Sequence, residues 1–128
     1  MADIREHGKP TNGPMAGQPL LILTTTGAKS GQPRASILTY SRDGEAYVVA
    51  GTNMGGPIGP SWVPNLVADP AVTIEIGPRV TAARAEVVTG PESDLLWDRH
   101  VAELPWFAEY PKQTSRVIPM VRLTPLSR

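Results

Sequence analysis

Two cations share one short turn of the sequence. Lys29 and Arg34 lie within TTTGAKSGQPRAS, which runs from Thr24 to Ser36 and contains no acidic residue. The glycines of this turn allow backbone N–H groups to face a ligand. A lysine adds a point charge, and an arginine adds a planar fork that suits phosphate or carboxylate. The turn is therefore either a plain hairpin connection or an anion clamp, and the residues alone leave the two about even.

Conventional catalytic groups are scarce in this chain. It has no cysteine and only two histidines, His7 and His100. A lone histidine on a helix is usually partly buried or solvated, so we expect no catalytic role for His100. Ser30, Ser36 and Ser61 lack the evident partner base that a serine nucleophile needs, and no ligand spacing indicates a metal site. If the protein is an enzyme, a cofactor supplies the reactive chemistry.

Length and composition limit the class of protein. The 128 residues suit one domain, and 41% hydrophobic with 19% charged residues is typical of a globular protein. A net charge of zero and 5% aromatic residues disfavour a nucleic-acid-binding barrel. No apolar run could span a bilayer and no signal peptide is evident, so we expect a cytoplasmic protein without stable membrane insertion. Residues 1–19, which are polar and rich in glycine and proline, are predicted to form a flexible arm.

Proline and glycine divide the remaining residues, 20–128, into short elements. About six segments are rich in strand-forming residues: PLLILTTT, RASILTYS, AYVVAG, DPAVTIEIG, the weaker VTAARAEVV, and RVIPMVRLTP. Pro119 in the last one indicates an edge position or a bulge. Short strands must pair or close to hide their edges. The pattern predicts a mainly β protein, a small antiparallel barrel in which Tyr40 and Tyr47 are barrel residues.

Two further segments predict helices outside the barrel. SWVPNLVAD indicates a short helix with Ser61 as its N-cap. TGPESDLLWDRHVAEL indicates a long helix, and Trp97, Val101 and Leu104 lie along one stripe of it. The sequence thus predicts one short and one long helix packed on the barrel wall.

Four ordered blocks of the sequence resemble a known family. LLILTTTGAKSGQPR, RDG, GPSWVPNLVADPAVTIEIG and TSRVIPMVRL together resemble the deazaflavin-dependent nitroreductases, a branch of the split β-barrel, FMN-binding-like reductases. The resemblance covers roughly Leu20 to Pro125. It implies that residues 20–128 form a split β-barrel that binds coenzyme F420, an 8-hydroxy-5-deazaflavin that carries a phosphate and an oligoglutamate tail. It also implies hydride transfer from ring position C5 of the reduced cofactor.

The resemblance also implies a set of cofactor-binding positions. In it, Lys29 and Arg34 hold the anionic part of the cofactor, which makes the opening turn a phosphate clamp. Trp62 either walls the cofactor or anchors the core, about equally, and Asn65 ties the loop that contains Asn53 to the short helix. Backbone N–H groups after the third strand are expected to bond the edge of the deazaflavin ring. The full set of cofactor-binding residues is Lys29, Ser30, Gly31, Arg34, Ala50, Gly51, Thr52, Asn53, Trp62 and Asn65.

The segment after the long helix departs from the family pattern. In members that reduce bulky nitroaromatics it is rich in tyrosines, whereas here only Tyr110 keeps a phenol. We expect Leu104, Phe107 and Tyr110 to form an apolar pocket for a flat, conjugated carbonyl compound. Thr52 and Tyr110 are candidate proton donors.

The predicted function is hydride transfer from reduced F420 to an electron-poor acceptor. Candidate acceptors are a quinone, a conjugated enone or lactone, and a nitroaromatic. The alternatives are a deazaflavin- or flavin-binding module without turnover, and a reductase of the same fold that uses flavin mononucleotide. We expect a small-molecule substrate, no nucleic-acid partner and no metal, and the outer strands would permit a homodimer.

Overall fold

The computed structural model describes residues 19–52, 60–112 and 118–126. Its strands form one antiparallel sheet of seven members in the order β2-β1-β5-β6-β7-β4-β3. The strands are β1 (Leu20–Thr26), β2 (Pro33–Thr39), β3 (Ser41–Asp43), β4 (Ala46–Ala50), β5 (Ala71–Ile76), β6 (Arg79–Val88) and β7 (Met120–Pro125). The helices are α1 (Trp62–Ala68), α2 (Pro91–Glu103) and a 3₁₀ helix (Pro105–Lys112).

The two edge strands show that the sheet curls into a barrel. β2 and β3 lie at opposite ends of the strand order, yet Tyr40 alone separates them in sequence. A flat sheet of this width could not be crossed by one residue, so the edges must approach each other. Tyr40 packs edge-on against Tyr47, with ring centroids 5.4 Å apart, and its N–H donates to the Pro19 carbonyl over 3.1 Å. The mainly β, split-barrel prediction is confirmed.

The strands carry apolar side chains on both faces, which gives two cores. The interior core contains Leu21 and Leu23 of β1, Val49 of β4, and partners from β5, β6 and β7. Neighbours of Val49 in the strand point to the other face, where they pack beneath α2 and the 3₁₀ helix. The buried residues of this outer cluster are Val48, Ala50, Val88, Leu96, Leu104, Phe107 and Met120.

The short helix packs its apolar face into the interior core. Trp62 and Leu66 of α1 join the interior core and are 5% and 2% exposed. Ser61 was expected to cap this helix, but its backbone is itself helical and its side chain makes no cap hydrogen bond. Ser61 thus occupies the predicted N-cap position without capping the helix through its side chain, and burial of the apolar face holds α1 in place.

Three details of the strands also differ from expectation. The second predicted strand breaks at Tyr40, which gives seven strands where about six were predicted. β6, expected to be weak, is ten residues long and pairs on both sides. β7 begins at Met120, after Pro119, and also pairs on both sides, so the edge position predicted for that proline is wrong.

The long helix is confirmed, but its buried stripe is displaced. Leu96, His100 and the following Leu104 are buried, whereas Trp97 and Val101 are half-buried. Within the described ranges, no helix is long and apolar enough to cross a membrane.

Candidate functional site

The β1–β2 turn has a shape that its glycines make possible. The Gly27 N–H donates to the Gln32 carbonyl over 2.8 Å, and the Gly31 N–H donates to the Gly27 carbonyl over 2.9 Å. Gly31 has φ +71°, which side-chain-bearing residues rarely adopt. A Cβ on Gly27 would lie 2.6 Å from the Ser30 Oγ. The turn is therefore a closed loop with a defined backbone path rather than a loose connection.

Both basic side chains of the turn face solvent. Lys29 is at the tip, and Arg34 lies opposite Thr25 in the β1–β2 register. In the described part of the chain, no ion pair involves either side chain. Ser30 is also exposed, and its Oγ accepts the Gln32 N–H over 3.2 Å. Two uncompensated positive charges on an ordered turn are the arrangement expected of an anion clamp.

Asn65 fixes the turn to α1. Its Oδ1 accepts the Ala28 N–H over 3.0 Å, and its Nδ2 donates to the Thr25 Oγ1 over 3.3 Å. The side chain is 8% exposed. Asn65 has a structural role, as expected, but the segment that it ties to α1 is the β1–β2 turn, whereas the loop named in the prediction lies largely outside the described residues. A direct cofactor contact by Asn65 stays a prediction.

The end of β4 meets α1 at a position that only glycine fits. A Cβ on Gly51 would lie 2.8 Å from Pro119 Cγ and 3.1 Å from Val63 Cγ2. The Gly51 N–H donates to the Pro119 carbonyl over 2.9 Å. This N–H is therefore not available to a ring edge, contrary to the expectation for the strand end. The neighbouring Ala50 and Thr52 are each 7% exposed.

The remaining predicted cofactor residues have different outcomes. Trp62 is 5% exposed and packs in the interior core, which favours the core anchor of its two predicted roles. A contact between Trp62 and the cofactor stays a prediction. Asn53 lies outside the described residues, as does the arm up to residue 18.

Of the three predicted pocket residues, Tyr110 alone is half-exposed. Leu104 and Phe107 are 2% and 7% exposed and pack in the outer cluster with Ala50. The Tyr110 ring packs edge-on against Phe107, with centroids 5.1 Å apart. Leu104 and Phe107 thus support the position of the segment, and Tyr110 is the one whose side chain reaches the surface.

His100 has an environment that the sequence did not indicate. It is 0% exposed, and its Nδ1 lies 2.7 Å from the Oγ of Ser41, itself 2% exposed. Its Nε2 has no hydrogen-bond partner among the described residues. Burial lowers the pKa of His100 to about 4. A serine and a histidine this deeply buried cannot serve as a nucleophile and base for a substrate. The spacing Leu96, His100, Leu104 was the signal for burial, because residues four apart share a helix face.

An open cleft lies at the other end of the barrel. It encloses about 750 Å³, and its lining includes Arg42, Tyr47, Arg79 and Leu126. The Arg42 guanidinium stands 4.3 Å from the centre of the Tyr47 ring. β6 begins and β7 ends beside this cleft, whereas the basic turn lies at the opposite strand ends. The described residues predicted as site do not line it.

One short helix connects the parts of the candidate site. α1 reaches the basic turn through Asn65 and approaches the end of β4 through Val63. These contacts connect the basic turn and the end of β4 through the same helix. Among the described residues, no group of three or more potential metal ligands is present.

Comparisons with known proteins cover most of the chain. A family model described as F420H(2)-dependent quinone reductase matches residues 2–125. A protein of that description from Mycobacterium tuberculosis is 41% identical over 109 residues, 83% of this chain and 73% of its own. A solved structure described as an F420-H2 dependent reductase is 34% identical, with TM-score 0.74 over 82% of this chain and 93% of its own. Another, described as a domain-swapped dimer, is also 34% identical, with TM-score 0.75 over 82% of this chain and 79% of its own.

Proposed function

Because the chain belongs to the F420H(2)-dependent quinone reductase family, we propose that it oxidises reduced coenzyme F420 and reduces a quinone. The observation that carries the proposal within this chain is the ordered basic turn, fixed by Asn65 to the helix that also contacts Gly51. An anionic arm and a flat ring of one ligand would be held by these two segments.

The bound cofactor supplies a hydride from C5 of its deazaflavin ring, and the protein supplies position and charge. Lys29 and Arg34 would hold the anionic arm, each through a charge-assisted contact worth about 1.5–3 kcal/mol. The Cβ position of Gly51 is filled by Pro119 and Val63, so glycine is needed there for the packing of β4 against α1, and the cofactor ring would lie along the backbone of this strand end. These roles for the individual residues are proposals.

Reduction of a quinone to a hydroquinone requires one hydride and one proton. Tyr110 is half-exposed and packs on the cluster that contains Ala50, so its phenol stands on the same side of the sheet as that strand end. We assign the proton to the Tyr110 hydroxyl or to solvent, with Thr52 as the second candidate on the chain. A phenol that gives up its proton is restored from water.

The first experiment is a fluorescence titration of the purified protein with F420 beside flavin mononucleotide. Loss of the reduced cofactor on addition of a soluble quinone then measures turnover. The clamp is tested by the double variant Lys29→Ala/Arg34→Ala, expected to weaken F420 binding by about 100-fold or more. Arg79→Ala, an exposed cation at the opposite end of the barrel, is the matched control and should bind normally.

Each outcome separates the main proposal from its alternatives. Tight F420 binding without turnover by any acceptor would indicate a cofactor-binding module. Preferential binding of flavin mononucleotide would indicate a flavin-dependent reductase of the same fold. Unchanged affinity in the double variant would contradict the assignment of Lys29 and Arg34.

We also propose that the chain forms a homodimer in the cytoplasm. A structure 34% identical to it is described as a domain-swapped dimer. Among the described strands, β2 lies at an edge of the sheet and pairs with β1 alone, and its Ile37 is 43% exposed, so this edge would offer backbone groups and apolar surface to a second copy. Size-exclusion chromatography with light scattering distinguishes one chain from two, and a mass of one chain would contradict the proposal.

A further inference from the structure

A continuous chain of side-chain contacts leads from β3 to Tyr110. The Ser41 Oγ lies 2.7 Å from the His100 Nδ1. The His100 ring packs edge-on against Phe107, with centroids 4.5 Å apart, and Phe107 packs edge-on against Tyr110 at 5.1 Å. Three elements, β3, α2 and the 3₁₀ helix, are thus joined through His100.

His100 controls the start of the 3₁₀ helix through its backbone as well as its ring. Its carbonyl accepts the Leu104 N–H over 2.8 Å, which ends α2. The Leu104 carbonyl in turn accepts the Phe107 N–H over 3.0 Å. Any residue at position 100 would make this backbone bond, so the contribution particular to histidine is the ring that packs against Phe107.

Stability alone does not account for a histidine at this place. Its Nε2 is buried without a described partner, and such a group costs about 1–3 kcal/mol. A leucine would fill apolar space between Phe107 and Trp97 without that cost, but it has no flat ring to hold Phe107 edge-on and no atom to bond Ser41. What distinguishes histidine at this position is a flat ring whose orientation is fixed by the contact with Ser41.

We propose that His100 is a positioning residue for Tyr110. Anchored by Ser41, its ring fixes Phe107, and Phe107 fixes the phenol of Tyr110 beside the end of β4, where the acceptor would bind. This inference rests on the proposed quinone reductase function for the role of Tyr110. It assigns to His100 no contact with substrate, since the side chain is 0% exposed.

Two variants test which part of the His100 side chain positions Tyr110, the ring or its bond to Ser41. His100→Leu removes the ring, and we expect the KM for the quinone to rise by about tenfold. The Kd for F420 should remain within about twofold, because no described contact joins the outer cluster to the basic turn. His100→Phe keeps a ring but loses the bond to Ser41, so it should restore the quinone KM only in part, to a value between those of the wild type and His100→Leu. All assays are made below the melting temperature of each variant. An unchanged quinone KM in His100→Leu, or a parallel loss of F420 affinity, would overturn the proposal.

A second measurement needs neither cofactor nor turnover. The chain has three tyrosines, so protein labelled with 3-fluorotyrosine gives three fluorine NMR signals, and Tyr110→Phe assigns one of them. His100→Leu should shift the Tyr110 signal and leave those of Tyr40 and Tyr47, which contact each other at the barrel, in place. A Tyr110 signal that does not move would overturn the positioning role even if the quinone reductase activity is established. If the wild type reduces no quinone, the proposed function fails, and a moved Tyr110 signal still supports the contact chain.

Discussion

The buried histidine predicts how the stability of the protein depends on pH. His100 has an ordinary pKa of 6.5 and a folded-state pKa of about 4, because burial disfavours the charged ring. Between these two values the unfolded chain binds more protons than the folded one. The contribution of His100 to stability is therefore complete above pH 6.5, falls as the pH is lowered, and reaches its minimum below pH 4.

The size of this effect follows from the two pKa values. At pH 5, the unfolded histidine is almost fully protonated while the folded one is almost fully neutral, which lowers the free energy of unfolding by about 2 kcal/mol relative to pH 7. Below pH 4 the loss levels off at about 3 kcal/mol. The described residues that contact the His100 ring are Ser41, Trp97 and Phe107. None of them carries a negative charge that would offset the cost of protonating the buried ring.

Urea unfolding at pH 7 and pH 5 measures this difference. Carboxylates also titrate near pH 5, so the informative comparison is between His7→Gln and His7→Gln/His100→Phe, which share every carboxylate and differ only at His100. The single variant should lose about 2 kcal/mol more between the two pH values than the double variant. Equal losses would show that His100 keeps an ordinary pKa in the folded protein and would refute the argument from burial.

Substitutions at three further positions test the packing, hydrogen bonding and ion pairing of the fold. Gly51→Ala should destabilise by about 1–3 kcal/mol, because its Cβ would lie 2.8 Å from Pro119, and thermal unfolding measures it. Asn65→Leu should cost about 1–3 kcal/mol by leaving the Ala28 N–H without its acceptor, and should also weaken F420 binding in titrations, whereas Asn65→Asp, which keeps that acceptor, should bind more tightly than the leucine variant. Arg122→Met should cost less than about 2 kcal/mol although Arg122 pairs with three carboxylates, and in urea unfolding the cost should shrink in 1 M salt.

The fold was largely predictable because its signals are local. Runs of β-branched and apolar residues bounded by glycine and proline located the strands, and the family resemblance supplied the barrel and the cofactor class, both now confirmed. Tyr40 was not identifiable as a break, since nothing in RASILTYS marks where one edge of a barrel passes into the other. Closure is a property of the whole sheet, and it alone requires the strand to end there.

A site residue could be predicted from the sequence where its side-chain chemistry matches the role that it has in the structure. Asn65 was expected to tie a loop to the short helix, and it does so, although the loop that it bonds is the β1–β2 turn and not the segment after β4. Gly51 was assigned to the ring edge, but its N–H bonds Pro119, a partner 68 positions away that no local pattern indicates. His100 was missed because a polar residue type weighs against burial. Only its four-residue spacing to Leu96 and Leu104 pointed the other way.

We expect the proposed clamp to contribute affinity for the cofactor and the end of β4 to contribute specificity. In the proposed clamp, Lys29 and Arg34 would recognise negative charge, and since both F420 and flavin mononucleotide carry a phosphate, we expect the turn to contribute similarly to the binding of either ligand. Discrimination between the two cofactors must then come from contacts between the edge of the cofactor ring and residues 50–52. Lys29→Ala/Arg34→Ala should accordingly weaken both cofactors by a similar factor and leave the ratio of their Kd values unchanged. Fluorescence titration of both ligands with the variant and wild type checks this. A ratio that changes by tenfold or more would place part of the specificity in the turn itself, through the oligoglutamate tail that only F420 carries.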